Sequence, residues 1–212
     1  MQVAQVVRQP YQERIVHVNR KPTSSARRPR ADSARNRQSL IDAAKAGFAQ
    51  SGLNVSLEEI ARRAGVGIGT LYRHFPSREA VVEAVYRREV EQLAEAVPQL
   101  IEKLPAGEAL HQWMHLFVDY IATKRLIAPS LTTAVGSRST ALYASSSELI
   151  NGALATLVQR AIDRGDVRRD CNSSDLLRAL IGVSYGNPDP GWQASARRLV
   201  DILMDGLRHT GP

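Results

Sequence analysis

The chain has one cysteine, Cys171, among its 212 residues. A lone thiol excludes an internal disulfide and a cysteine-based zinc finger, and it fits a reducing cytoplasm. No run of about 18 apolar residues is present, which argues against a membrane-spanning helix. The N-terminus lacks an apolar stretch of signal-peptide length, and only polar residues follow the Arg27-Arg28 pair, so twin-arginine export is not expected. The local signatures of common enzyme chemistries are missing too: no glycine-rich phosphate loop, no Gly-x-Ser-x-Gly elbow, no His-Glu-x-x-His pair. Strand-like alternation and internal repeats are not found. What is there is an ordinary hydrophobic content of 43%, enough for one or two domains with a real core.

Charge is unevenly placed. Residues 1–37 hold nine Lys and Arg side chains against Glu13 and Asp32, which accounts for the whole formal net charge of +7. The remaining residues carry equal numbers of each sign. Residues 1–31 also contain Pro10, Pro22 and Pro29 and show no sustained periodicity, so they read as a disordered basic arm. Such an arm either binds a polyanion or is a solvated extension.

From Asp32 onward the pattern is helical. A first helix is expected over about 33–50, with Leu40, Ala44 and Phe48 on one face and Gly52 after it. Ser56-Leu57-Glu58-Glu59 matches a capping box, followed by Leu57, Ile60, Ala61 and Ala64 at helical spacing and Gly65 at the stop. A short helix follows over about 67–75. Ser77 then caps a longer helix ending near Pro98. Further helices are expected over about 107–127, 130–135, 138–164, 174–185 and 192–208, about nine in an all-α fold.

The informative stretch is 56–78. Two short helices joined by a glycine-containing turn make a helix-turn-helix, whose second helix enters the DNA major groove. On a wheel of that helix, Leu71 and Phe75 face inward onto Ile60 and Ala61, leaving Gly69 and Arg73 on the other side, flanked by Thr70 and Tyr72. Gly69 permits close backbone approach. Thr70, Tyr72 and His74 suit phosphate oxygens, and Arg73 can reach a phosphate or a guanine edge. Arg78, in the first turn of the next helix, opposes the helix dipole, a placement that a nearby phosphate would offset.

Ile60-Ala61, Gly65-Val66, Gly69-Thr70-Leu71-Tyr72, His74-Phe75 and Arg78-Glu79 resemble the signature of the TetR family of regulators over about 33–85. The resemblance implies a homeodomain-like three-helix DNA-binding domain (32–78) and a larger helical ligand-binding and dimerisation domain (79–212). It implies a cytoplasmic, nucleoid-associated homodimer, usually a repressor and not an enzyme, that leaves a palindromic operator when a small molecule binds. The family's phosphate contacts map onto Ser56, Thr70, Tyr72, His74 and Arg78, and its base readers onto Ile68, Gly69 and Arg73. Gly67 stands where many members have serine, so one backbone-anchoring hydroxyl is missing. The basic arm fits as well: Arg27, Arg28 and Arg30 are placed to enter a neighbouring minor groove.

The second half is less specific. Trp113, Met114, Phe117 and Tyr120, with Tyr143, form an aromatic set that either is core or lines an apolar ligand cavity, with His111, His115 and Asn151 as polar points. His111 and His115 have the i, i+4 spacing of a metal-binding pair, but the nearest third ligand in sequence is Asp119, so no metal and no cofactor is expected. Leu176, Leu180, Leu199 and Leu203 are the expected dimer face, since the family pairs its last two helices across a two-fold axis. Arg164-Gly165-Asp166 reads as a helix stop.

Overall fold

The computed structural model describes the backbone of residues 27–135, 139–185 and 190–208, and the side chains of 31–131, 142–185 and 190–208. Eight α-helices follow one another: α1 (Arg27–Ser51), α2 (Leu57–Arg63), α3 (Ile68–His74), α4 (Arg78–Lys103), α5 (Ala106–Val135), α6 (Ser139–Asp163), α7 (Ser173–Tyr185) and α8 (Trp192–Leu207), with a 3₁₀ turn at Gly52–Asn54. One isolated antiparallel bridge joins Val167 to Arg208.

The first three helices close on a small core. Leu40, Ile41, Ala44 and Phe48 of α1 are buried with Ile60 and Ala61 of α2 and with Leu71 and Phe75 at α3. The Ser56 hydroxyl accepts from Glu59 N–H at 3.1 Å, which caps α2. The reciprocal half of the expected capping box is not made: the Glu59 carboxylate is taken by Arg62 and Arg63 at 2.7 Å. Gly65 stops α2 with φ +70°. Val66 N–H donates to Ala61 and Gly65 N–H to Arg62, the paired bonds of a Schellman stop. The same device ends α6, where Gly165 (φ +77°) and Asp166 donate to Ile162 and Ala161. The Asp166 carboxylate then accepts from Gly107 N–H at 2.8 Å, pinning the start of α5.

α4 is the shared spine. It packs on α1, α5 and α6, burying Val81, Val82, Val85, Tyr86, Val90, Leu93 and Val97. Its C-terminal carbonyls at Ile101 and Leu104 accept from the Arg160 guanidinium of α6. The buried Trp113 indole donates to the Leu93 carbonyl at 2.9 Å, so its polar edge is satisfied in the core.

Three boundaries differ from the sequence expectation. α1 begins at Arg27, so the helix takes in residues 27–31 that read as arm; residues 1–26 lie outside the described part. α4 runs through Pro98 to Lys103, and α5 through Pro129 to Val135, absorbing the separate helix expected over about 130–135. Proline removes one intrahelical hydrogen bond at a cost of about 3 kcal/mol. Burial of Val97 and Leu93 before Pro98, and of Ile127 and Leu131 around Pro129, offsets it; each such side chain contributes about 1.5–3 kcal/mol.

Candidate DNA-binding surface and inner cavity

α3 presents a polar, open face. Ile68 is 36% and Tyr72 48% exposed, while Leu71 on the opposite side is fully buried. Gly69 and Arg73 are exposed, and Thr70 and His74 are half-buried at the edges. A Cβ built on Gly69 or on Gly67 meets nothing within 4 Å. Gly67 occupies the N-cap of α3 in extended backbone and offers no side-chain cap. Ser56 spends its hydroxyl lone pair on Glu59 N–H but keeps its proton free to donate outward.

Arg78 makes contacts within the chain that its position in the sequence did not suggest. Its guanidinium donates to the carbonyls of Leu53 (2.8 Å) and Val55 (2.5 Å), in the turn between α1 and α2. One N–H of each terminal nitrogen is thus used inside the chain, a structural role beside the phosphate contact read from its place in the first turn. The residue joins the start of α4 to the helix-turn-helix. The side chains of Arg27, Arg28 and Arg30 lie outside the described residues.

The second feature is a cavity of about 270 Å³ between α4, α5, α6 and α7. Tyr86, Phe117, Tyr120, Lys124, Tyr143 and Tyr185 form much of its wall. The volume is just below the range of about 300–1,000 Å³ usual for small-molecule sites, so it suits a compact ligand. Tyr120 donates to the Tyr86 hydroxyl at 3.4 Å, and burial pushes the Tyr120, Tyr143 and Tyr185 phenols upward, keeping them protonated donors. Lys124 places its ammonium 5.9 Å and 5.4 Å from the Tyr120 and Tyr143 ring centres. Burial lowers its pKa.

Of the residues read as pocket candidates, Phe117, Tyr120 and Tyr143 line this cavity. Trp113 and Met114 are fully buried core side chains outside its lining. His111 and His115 point instead to Asp201 of α8, at 2.7 and 2.9 Å, and Asn151 bonds back to Ser147. Sequence reasoning missed Tyr86, Lys124 and Tyr185. Lys124 had a signal: it follows Tyr120 by one helical turn, a cation on an otherwise apolar stripe.

Residues 40–85 match the family described as bacterial regulatory proteins, tetR family. Residues 105–209 match the C-terminal domain of SbtR-like transcriptional regulators. The crystal structure of the TetR transcriptional regulator SCO0520 from Streptomyces coelicolor is similar with a TM-score of 0.71 and 41% identity, over 82% of this chain and 99% of that one. The chain belongs to the TetR family. A TetR transcription regulatory protein from Mycobacterium vanbaalenii gives a TM-score of 0.71 at 31% identity, over 85% and 99% of the two chains. The HTH-type transcriptional regulator UidR of Escherichia coli strain K12 is 25% identical over 167 residues, 71% of this chain and 78% of its own.

As a TetR-family member the chain is a DNA-binding transcriptional regulator, and its family and fold are not those of enzymes. Among the described residues no helix is long and apolar enough to cross a membrane. TetR-family chains usually dimerise, and two of the four leucines read as the dimer face are buried within one chain. Leu176 and Leu180 are 5% and 0% exposed within one chain, so they fill its own core, and Leu203 is half-buried. Ile181 and Tyr185 of α7 and Leu199 and Ile202 of α8 are exposed, at 42%, 46%, 39% and 65%.

Proposed function

We propose that this regulator binds a palindromic operator as a homodimer, represses, and is released when a compact effector enters the tyrosine-lined cavity. Residues 32–78 form the DNA-reading unit and 79–212 the sensing and pairing unit, at work in the cytoplasm on the nucleoid. Ser56, Thr70, Tyr72 and His74 hold phosphates; Ile68, Gly69 and Arg73 face base edges. Two copies pair through the outer face of α7 and α8, where Ile181, Leu199 and Ile202 are covered by their symmetry mates.

The observation that carries the release mechanism is the position of α4. Tyr86 of α4 lines the cavity, and Arg78 at the start of the same helix grips the turn before α2. A ligand that moves α4 therefore moves the helix-turn-helix. The aromatic wall with a desolvated ammonium favours an effector with an apolar body and an anionic or acceptor group toward Lys124.

Selection of random duplex DNA by the purified protein, followed by titration at about physiological salt, tests the reading. A palindrome whose half-sites lie about one helical turn or a multiple apart is the expected result. Weak, salt-sensitive binding to every duplex would instead mark an architectural DNA protein.

A further inference from the structure

His111 and His115 lie one turn apart on α5, and both rings turn toward the same atom of α8. The Oδ1 of Asp201 is 2.7 Å from His111 Nε2 and 2.9 Å from His115 Nε2. The two Nε2 atoms are 3.2 Å from each other. Three classical metal-ligand atoms thus converge on one point, from positions 90 residues apart in the chain.

We propose that His111, His115 and Asp201 bind one divalent transition-metal ion of borderline softness, with Zn²⁺ as the reference case, and that the ion fastens α8 to α5. The distances carry the proposal. Bonds of about 2.0–2.2 Å place neighbouring ligand atoms about 3 Å apart at right angles and about 3.4 Å apart at tetrahedral ones. The observed triangle of 2.7, 2.9 and 3.2 Å lies at the right-angle end. Asp201 is 51% exposed at its side chain and can retreat by the few tenths of an ångström a tetrahedral ion requires, while the His115 ring, 17% exposed, is held.

The donor set decides the class. Two imidazoles and one carboxylate suit Zn²⁺ and its neighbours Co²⁺ and Ni²⁺, whereas Mg²⁺ and Ca²⁺ prefer oxygen ligands throughout. Three protein ligands leave at least one position for water or another donor. Access exists: His111 also borders an open cleft with Pro105, Glu108 and Arg208.

The surroundings explain why the third ligand was not legible. Asp119, the nearest carboxylate in sequence, accepts from Gln193 at 2.7 Å and from Arg197 at 2.5 Å. It is occupied by α8, and Asp201 supplies the carboxylate instead. Arg197 also lies 3.4 Å from His115 Nδ1. Metal on Nε2 leaves the proton on Nδ1, so Arg197 gives up that contact and stays on Asp119, which neutralises its charge.

The test uses the full-length chain, freed of any affinity tag, stripped with chelator and titrated with Zn²⁺ against a chromophoric competitor. Thermal melts run in parallel, and Co²⁺ serves as a visible-absorbing probe. One ion per chain, a rise in Tm, and a Co²⁺ spectrum lost in His111→Asn and Asp201→Asn are the expected results. Asp201→Asn keeps the shape of the side chain and one acceptor oxygen, and circular dichroism and size should show it folded like the parent. Equal Zn²⁺ binding by parent and variants would overturn the site. Preference for Mg²⁺ or Ca²⁺ would overturn the class.

Discussion

Lys45 of α1 reaches Glu89 of α4 at 2.7 Å, and the Glu89 side chain is only 7% exposed. The second Glu89 oxygen accepts from the Thr123 hydroxyl of α5 at 2.9 Å. One buried carboxylate thus ties α1, on which the helix-turn-helix packs, to the helix that walls the cavity, a single turn from Tyr86 and Tyr120. Lys45→Met leaves that carboxylate buried without its cation, and we expect a loss of about 1–3 kcal/mol. Adding Glu89→Gln should restore much of it. Urea denaturation of the two single variants and the double variant checks this, and strictly additive losses would dissolve the pairing.

Arg78 and Arg73 separate two roles that look alike in sequence. Arg78→Ala removes two charge-assisted bonds to Leu53 and Val55 and should destabilise the fold by roughly 2–4 kcal/mol, with the salt dependence of DNA binding unchanged. Each phosphate contact contributes close to one unit of that log–log slope. A slope lowered by about one in Arg78→Ala would return this side chain to the DNA.

Arg73→Ala should relax the preferred base at one operator position by about 1–3 kcal/mol. Tyr72→Phe should weaken operator and unrelated DNA by the same modest factor. Repeating the duplex selection with each variant distinguishes them, since an unchanged consensus for Arg73→Ala would reassign that residue to the backbone.

Gly67→Ser should strengthen α3. The position is an uncapped N-cap with open space around it, and serine exceeds glycine there by a few tenths of a kcal/mol. Thermal melts should show a small upward shift, and a downward one would mean that the glycine is needed for its backbone.

Acid should act on α2 through Glu59. Hydrogen bonds from Arg62 and then Arg63 hold its carboxyl down at about 2, against an ordinary 4.5. A depressed carboxylate stabilises above the unfolded value, and that contribution is lost as the pH falls from about 4.5 toward 2. Glu59→Gln should flatten this part of the stability–pH curve. An equally steep acid limb in the variant would place the sensitivity elsewhere.

Local signals were readable in the sequence because they are local. The Ser56 cap, the Gly65 and Gly165 stops and the inward pair Leu71 and Phe75 each depend on residues within a few positions of one another. What was not readable depends on distant partners. Arg78 was placed by carbonyls some 25 residues earlier, Leu176 and Leu180 by packing on their own chain, and the two histidines by a carboxylate on α8. Pro98 and Pro129 failed as stops for the same reason, since burial on neighbouring helices outweighed a local penalty.

The bare backbone at Gly69 has a consequence for how such a protein changes over time. Nothing in the fold occupies the space a side chain there would take, so the position is exempt from the packing that constrains Leu71 two residues on. New side chains can be tried on this exposed face of α3 with folding little disturbed. On the proposed reading that Gly69 faces base edges, duplicated copies of this gene can acquire different target sites before they lose stability.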